Sequence, residues 1–286
     1  MMDTIQISHL TKSYKKTLAL NDVNLELKPG VCGLLGPNGA GKTTFIRILA
    51  TLMRSDSGEI TMGNISWKLP NDVRADLGYL PQSFGMYNYM SLYKSLEHIA
   101  ILKGLEKEKL KSEIERVLKL TNLTEHSQKA IKQLSGGMVR RLGIAQALLG
   151  DPRILLFDEP TAGLDPSERI RFRNIISSVS QDKIILISTH IVSDVETSCD
   201  RVAVINKGKL LAYDSVSAIA QKAIGRVAEI EILSDELEEK QRKLNVISIS
   251  DEENGKIKLR YLCDNSDAQI IPTLEDGYMC LTSDSD

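Results

Sequence analysis

Apolar positions recur along this chain with two different periods, and each period predicts a kind of element. Ile5-Gln6-Ile7-Ser8-His9-Leu10 and Val23-Asn24-Leu25-Glu26-Leu27 alternate in twos. That is the spacing of half-buried strands, so the two segments are expected to form an antiparallel flap joined by a turn-rich, basic segment. Lys28-Pro29-Gly30 turns the chain into Val31–Leu35, an unbroken apolar run of the kind found in buried strands. Ser55–Ile60 returns through a turn to a short strand, and Leu77–Leu80, Ile154–Phe157 and Ile184–Ile187 read as further strands. Helical spacing appears in Phe45–Ala50, in the set Leu92, Leu96, Ile99 and Leu102, and in the set Leu110, Ile114, Val117 and Leu118. The stretch from about Ser91 to His126 is therefore an all-helical insertion that interrupts strand–helix alternation.

Beyond Tyr213 the pattern changes. Val227–Leu233, Asp235–Leu244, Val246–Ser250, Lys256–Leu262, Ser266–Leu274 and Tyr278–Leu281 read as strand, helix, strand, strand, helix, strand. That order suggests a small α+β appendage of ferredoxin-like type, with loosely packed hairpins as the alternative. It holds no constellation of chemical groups, and the acidic SDSD tail is expected to be disordered.

Composition narrows the function classes. The 286 residues suit one large domain with a small addition, and 42% hydrophobic with 26% charged residues is ordinary for a globular chain. A net charge of -2 and a pI near 6.2 argue against wrapping nucleic acid, so no nucleic-acid partner is expected. The four cysteines Cys32, Cys199, Cys263 and Cys280 show no C-x-x-C spacing, which suggests reduced thiols in a cytosolic protein. No secretory leader and no apolar stretch of the roughly 20 residues needed to span a bilayer is read, so the chain is expected to be soluble by itself.

The candidate chemistry lies at the ends of the predicted strands. After Val31–Leu35 comes Gly36-Pro37-Asn38-Gly39-Ala40-Gly41-Lys42-Thr43-Thr44. This matches G-x-x-x-x-G-K-[ST] at every fixed position, between a strand and a helix. Its glycines let successive N–H groups converge on an anion at a helix N-terminus. Lys42 can reach the β- and γ-phosphates, and the Thr43 hydroxyl can coordinate Mg2+. Tyr14 either stacks on a nucleotide base or covers a strand edge. Gln82, released from its strand by Pro81, has an amide oxygen able to bind the metal ion or orient water. Tyr79, Phe84, Tyr87, Tyr89 and Tyr93 form either a local core or a docking surface. Ser135, Gly136 and Gly137 open the helix that runs on to Leu148, a second anion-seeking helix end that suits the nucleotide of another copy. Asp158 can hold the metal shell, and Glu159 can polarise a water for in-line attack on the γ-phosphate. His190 ends a further strand, where ligands sit in open α/β sheets.

In this order the motifs resemble those of the nucleotide-binding subunit of an ABC (ATP-binding cassette) transporter, over residues 1 to about 213. The resemblance implies an α/β P-loop NTPase with a RecA-like core, an antiparallel β subdomain and a helical subdomain over about 83–150, and leaves 214–286 as the accessory region. It also implies that Tyr14 stacks on adenine, that Gly36 to Thr44 is the Walker A loop, and that Gln82 is the Q-loop glutamine. Ser135, Gly136 and Gly137 then contact ATP across a dimer, Asp158 and Glu159 end Walker B, Asp165 lies in the D-loop, and His190 is the switch histidine. The implied reaction is Mg2+-assisted ATP hydrolysis driving transport through an integral membrane permease subunit. The implied assembly is a head-to-tail homodimer, or a pair with a paralogous ATPase, peripheral at the cytoplasmic face of the cell membrane. In this reading the helical insertion receives the permease, so the aromatic stretch becomes a partner surface. Met138 departs from the glutamine of many relatives. The form LSGGM with Arg140-Arg141 resembles ATPases of ABC-2-type exporters, which favours export. The alternative is a soluble ABC ATPase acting on ribosomes or nucleic acid. Two cassettes in one chain or a long charged coiled-coil insert would favour it, and neither is present in the sequence.

Overall fold

The computed structural model describes residues 3–251, 256–264 and 270–284. Strands β1 (Ile5–Tyr14) and β2 (Thr17–Leu27) pair antiparallel, and β3 (Gly30–Leu35) leads through the phosphate loop into α1 (Lys42–Leu49). The chain then returns as β4 (Ser57–Met62) and β5 (Ile65–Ser66). These form a four-stranded antiparallel sheet in the order β2-β1-β4-β5. The flap strands run well past their strictly alternating segments, because the register shifts repeatedly between Ile7 and Ser13 and lets irregular sequence stay paired. Tyr14 is consequently the last residue of β1, opposite Thr17, and the turn-rich segment shrinks to Lys15-Lys16.

Helix α2 (Pro70–Ala75) precedes β6 (Leu77–Leu80); the insertion contributes α3 (Leu92–Leu102) and α4 (Lys107–Leu120), and α5 (Gly136–Leu148) brings the chain back to β7 (Ile154–Asp158). Next come α6 (Pro166–Val179), β8 (Ile184–Thr189), α7 (Val192–Ser198), β9 (Arg201–Asn206) and β10 (Lys209–Ser215). The sequence reading marks neither of the last two strands. The six-stranded central sheet has the order β10-β9-β3-β8-β7-β6, parallel except for β10.

Unbroken apolar strands are explained by burial on both faces. Ile154, Leu156, Ile184 and Leu186 point into a core shared with the flap and α1. Their neighbours Leu155, Phe157, Ile185 and Ile187 point into a second core made with α3, α4, α5 and α6. Phe157 meets Phe172 of α6 edge-on, with ring centroids 5.7 Å apart. In the first core, Trp67 packs partly buried and donates Nε1–H to the Leu49 carbonyl at the end of α1, 2.9 Å away. Among the described residues no helix is long and apolar enough to cross a membrane.

The C-terminal region departs from the ferredoxin-like expectation. Following α8 (Val216–Gln221), the strand β11 (Val227–Leu233), helix α9 (Leu237–Lys243), and strands β12 (Asn245–Asp251) and β13 (Lys256–Leu262) make a three-stranded sheet in the order β11-β13-β12. The predicted strand Tyr278–Leu281 lies instead inside α10 (Leu274–Ser283). The reason is local: Thr273 caps the helix and Asp276 answers it in a capping box, while Leu274, Tyr278 and Leu281 share one helical face. The helix expected over 266–274 begins largely outside the described residues, and Ile270–Thr273 carries no regular structure. The acidic tail is ordered at Asp284, whose carboxylate accepts two hydrogen bonds from Arg226 at 2.7 and 2.8 Å; its last two residues lie outside the described ones. Ile219 of α8 and Leu274 of α10 join Leu35, Val195, Val202 and Val204 in a third core.

Candidate active site

Residues predicted separately from the phosphate loop, the flap and two strand ends line one cavity of about 610 Å³. Tyr14, Asn38, Gly39, Gly41, Lys42, Thr43, Thr44, Gln82 and Glu159 all border it, together with Lys207. The volume is that of a small-molecule cofactor site. Gly41 precedes α1 with φ of +107°, a conformation that costs a residue with a Cβ, and a Cβ there would lie 2.4 Å from the Ala19 carbonyl oxygen.

Lys42 is 6% exposed. Its ammonium donates to the Gly36 and Pro37 carbonyls at 2.8 and 3.0 Å and lies 3.8 Å from Glu159 Oε1. Burial pushes the Lys42 pKa down, and the carboxylates of Glu159 and Asp158 oppose that. A cation already desolvated beside a concave set of loop N–H groups is well suited to meet a polyphosphate.

The strand end of β7 is held with equal care. Asp158 is 1% exposed and accepts from Thr43 Oγ1 at 3.3 Å and from Ser188 Oγ at 2.6 Å. Glu159 adopts φ of +50°, which for a non-glycine residue costs on the order of 1–2 kcal/mol and is found where surroundings enforce it. Its N–H donates to both the carbonyl and the hydroxyl of Ser188, each at 3.1 Å. Its carboxylate contacts His190 Nδ1 at 2.9 and 3.0 Å. His190 is itself exposed.

Gln82 is exposed on the segment after β6. Tyr14 is 44% exposed, with its hydroxyl on the Met53 sulfur at 2.8 Å, so it both borders the cavity and covers the flap edge. Ser135 caps α5, accepting from Met138 N at 3.3 Å, and with Gly136 is exposed outside the cavity. Gly137 abuts Glu168, which pairs with Arg141. Asp165 is also exposed and outside the cavity; it caps α6, and the hydrogen bond from Glu168 N holds its pKa down.

Sequence reasoning missed several supports. Ser188 organises both acids but reads as an ordinary strand-end serine. Thr161 donates to Asp194 at 2.6 Å, joining the loop after Glu159 to α7. Arg140, noted only within a motif, donates to carbonyls of both strand-end segments. The signal for Ser188 is position: it precedes His190 by two on the strand that pairs with Asp158.

Comparison with known proteins bears on the family and the fold. The ABC transporter family profile matches residues 20–162, half of the 286. The chain is 35% identical over 221 residues to the uncharacterized ABC transporter ATP-binding protein YhcH of Bacillus subtilis, covering 76% of this chain and 71% of that one. It is 32% identical over 266 residues to the Nod factor export ATP-binding protein I of Cupriavidus metallidurans, covering 92% and 87%. Among solved structures it is similar to the dimeric cassette MJ0796, at 26% identity and a TM-score of 0.67 over 74% of this chain and 98% of that one. Another structure of that cassette, described as a post-hydrolysis state bound to ADP and Pi, matches at 25% identity with the same TM-score. Family profile, relatives and fold agree, and this chain belongs to the ABC transporter family.

Proposed function

We propose that this chain is the ATP-hydrolysing subunit of a transporter that works with a separate integral membrane permease, in the direction of export. Residues 1–213 carry the ATPase, with the helical part over about 83–150, and 214–286 form the accessory region. The observation that carries this reading is the convergence of the phosphate loop, Gln82 and Glu159 on one cavity. The export direction is supported by a relative named for it, the Nod factor export ATP-binding protein I, and fits another named for resistance, the linearmycin resistance ATP-binding protein LnrL of Bacillus subtilis.

The loop from Gly36 to Thr44 binds the phosphates through main-chain N–H groups, and Lys42 turns from its carbonyl partners toward the β- and γ-phosphates. Tyr14 stacks on the adenine. Glu159 accepts a proton from the attacking water, and His190, already on its carboxylate, orients it and meets the γ-phosphate. Thr43 Oγ1 lies 3.3 Å from Asp158 Oδ1, a sparse pair of protein oxygens that suits Mg2+, an ion that keeps water and substrate phosphate in its shell. Thr43, Asp158 and Gln82 would hold the ion, which would supply neutralisation of phosphate charge. Ser135, Gly136 and Asp165, exposed outside the cavity, and the half-buried Gly137 beside them would face the nucleotide of a second copy or a paralogous ATPase. The chain then sits at the cytoplasmic face of the membrane, with Tyr87 (71% exposed) and Tyr89 (84% exposed) toward the permease.

The deciding variant is Glu159→Gln. Turnover is expected to fall by about 10²-fold or more while ATP binding persists, because a positioned base contributes on the order of 10²–10⁴. In saturating ATP the variant should elute as a dimer, and from native membranes it should bring down a polytopic membrane protein. A variant that stays monomeric with ATP bound, or that is recovered only with ribosomes or nucleic acid, overturns the reading.

A further inference from the structure

We propose that Arg140 is a positioning residue for hydrolysis, tying the Gln82 segment and the Asp158–Glu159 strand end into one mechanical unit governed by α5. The inference rests on the function proposed above. Parallel pairing between β6 and β7 ends at Leu80 and Phe157, and the residues that carry the chemistry lie just beyond that point. Arg140 spans the gap. Its Nε donates to the Pro160 carbonyl at 2.7 Å; Nη1 donates to those of Pro81 and Gln82 at 3.2 and 3.0 Å; Nη2 donates to that of Asp158 at 3.3 Å and also to that of Glu159. One guanidinium thus holds five main-chain oxygens from two segments, a task suited to a rigid planar fork of donors.

The neighbouring Arg141 shows what a purely structural arginine does in the same helix. It pairs with the Glu168 carboxylate at 3.2 Å and donates to the Thr121 and Asn122 carbonyls, away from the cavity. Arg140 takes no carboxylate among these partners. Asp158 keeps its carboxylate for Thr43 and Ser188, and Glu159 keeps its own for Lys42 and His190. Burial pushes the Arg140 pKa down while the two acids push it up, consistent with a cation held close to the site by its surroundings.

Position in the chain gives the contact its consequence. Arg140 lies five residues after Ser135, on the helix whose exposed end is proposed to meet a second copy. Glu159 sits at φ of +50°, with its N–H fixed by Ser188 and its carbonyl by Arg140. A displacement of α5 on dimer closure would therefore reach the Glu159 main chain and the Gln82 segment together, through one side chain.

The test compares full-length wild type with Arg140→Met, which keeps an unbranched apolar stem and donates nothing. ATP affinity, read by displacement of a fluorescent ATP analogue, should stay within about threefold, while kcat falls by about 10- to 100-fold, since misplacement by roughly 1 Å can cost that much. In the Glu159→Gln background the same change should lower the residual turnover by no more than about twofold, the non-additivity expected of residues acting as a unit. Arg140→Lys should recover part of the loss. If Arg140→Met does not fold, Arg140→Lys decides: lowered kcat with retained ATP affinity supports the proposal, and wild-type kcat overturns it. An Arg140→Met protein with wild-type kcat, or with fully additive loss on Glu159→Gln, also overturns it. Absence of hydrolysis in the wild type itself would instead refute the proposed function.

Discussion

Ser188 shows how much of the candidate site depends on a residue with no motif of its own. Its hydroxyl donates to Asp158 and accepts from Glu159 N–H inside a fully buried strand end. Ser188→Ala is expected to cost about 1–3 kcal/mol of unfolding free energy by leaving buried partners unpaired, and to lower kcat more than it raises KM. Urea unfolding and steady-state kinetics on one preparation check both. The phosphate loop was legible in the sequence because its spacing alone dictates a nest of N–H groups; Ser188 was not, because its role is made by the pairing of β7 with β8. Lys103 makes a second residue-scale prediction. Burial lowers its pKa to about 8 from the usual 10.5, against the opposing pull of Glu113 and Asp76. Between those two values the unfolded chain holds the proton that the folded chain gives up, so this group raises stability as pH climbs from about 8 to 10.5. Below pH 8 both states are protonated and its full cost remains. Lys103→Met should therefore gain on the wild type near pH 7.5 by about 1 kcal/mol, allowing for partial solvation, and lose that gain by pH 10.5. A pH-independent difference would contradict the assignment.

At the scale of elements, α8 and α10 approach as closely as their backbones allow. A Cβ on Gly277 would lie 2.0 Å from the Ile219 carbonyl oxygen, a backbone atom that cannot step aside. Gly277→Val should destabilise the protein by about 3 kcal/mol or more, visible as a fall in the urea midpoint, whereas an unchanged midpoint would mean the helices are not packed here. The same contact explains why the C-terminal order was only partly legible. Period-two patterning located β11, β12 and β13, but Tyr278–Leu281 is too short for a strand to be told from a helical turn. What decides is the partner surface on α8 and α7, and local sequence does not display it. The flap was underestimated for the opposite reason: pairing carried β1 and β2 through residues whose own pattern breaks.

For the whole molecule, the change of pattern beyond Tyr213 is not a change of core. Ile219 and Leu274 fill the third core together with Leu35, which ends the phosphate-loop strand, and with Val202 and Val204. Removing residues 216–286 should therefore lower the thermal midpoint by about 10 °C, from the loss of two large buried side chains and the exposure of their partners. An unaltered midpoint would mean that the two regions fold independently. The single tryptophan offers a way to watch such changes without adding anything to the protein. Trp67 is hydrogen-bonded to the last turn of the helix that begins at Lys42, so its indole is a built-in optical reporter. Excited at 295 nm or above, where the eight tyrosines scarcely absorb, its emission should register nucleotide arriving at the far end of that helix.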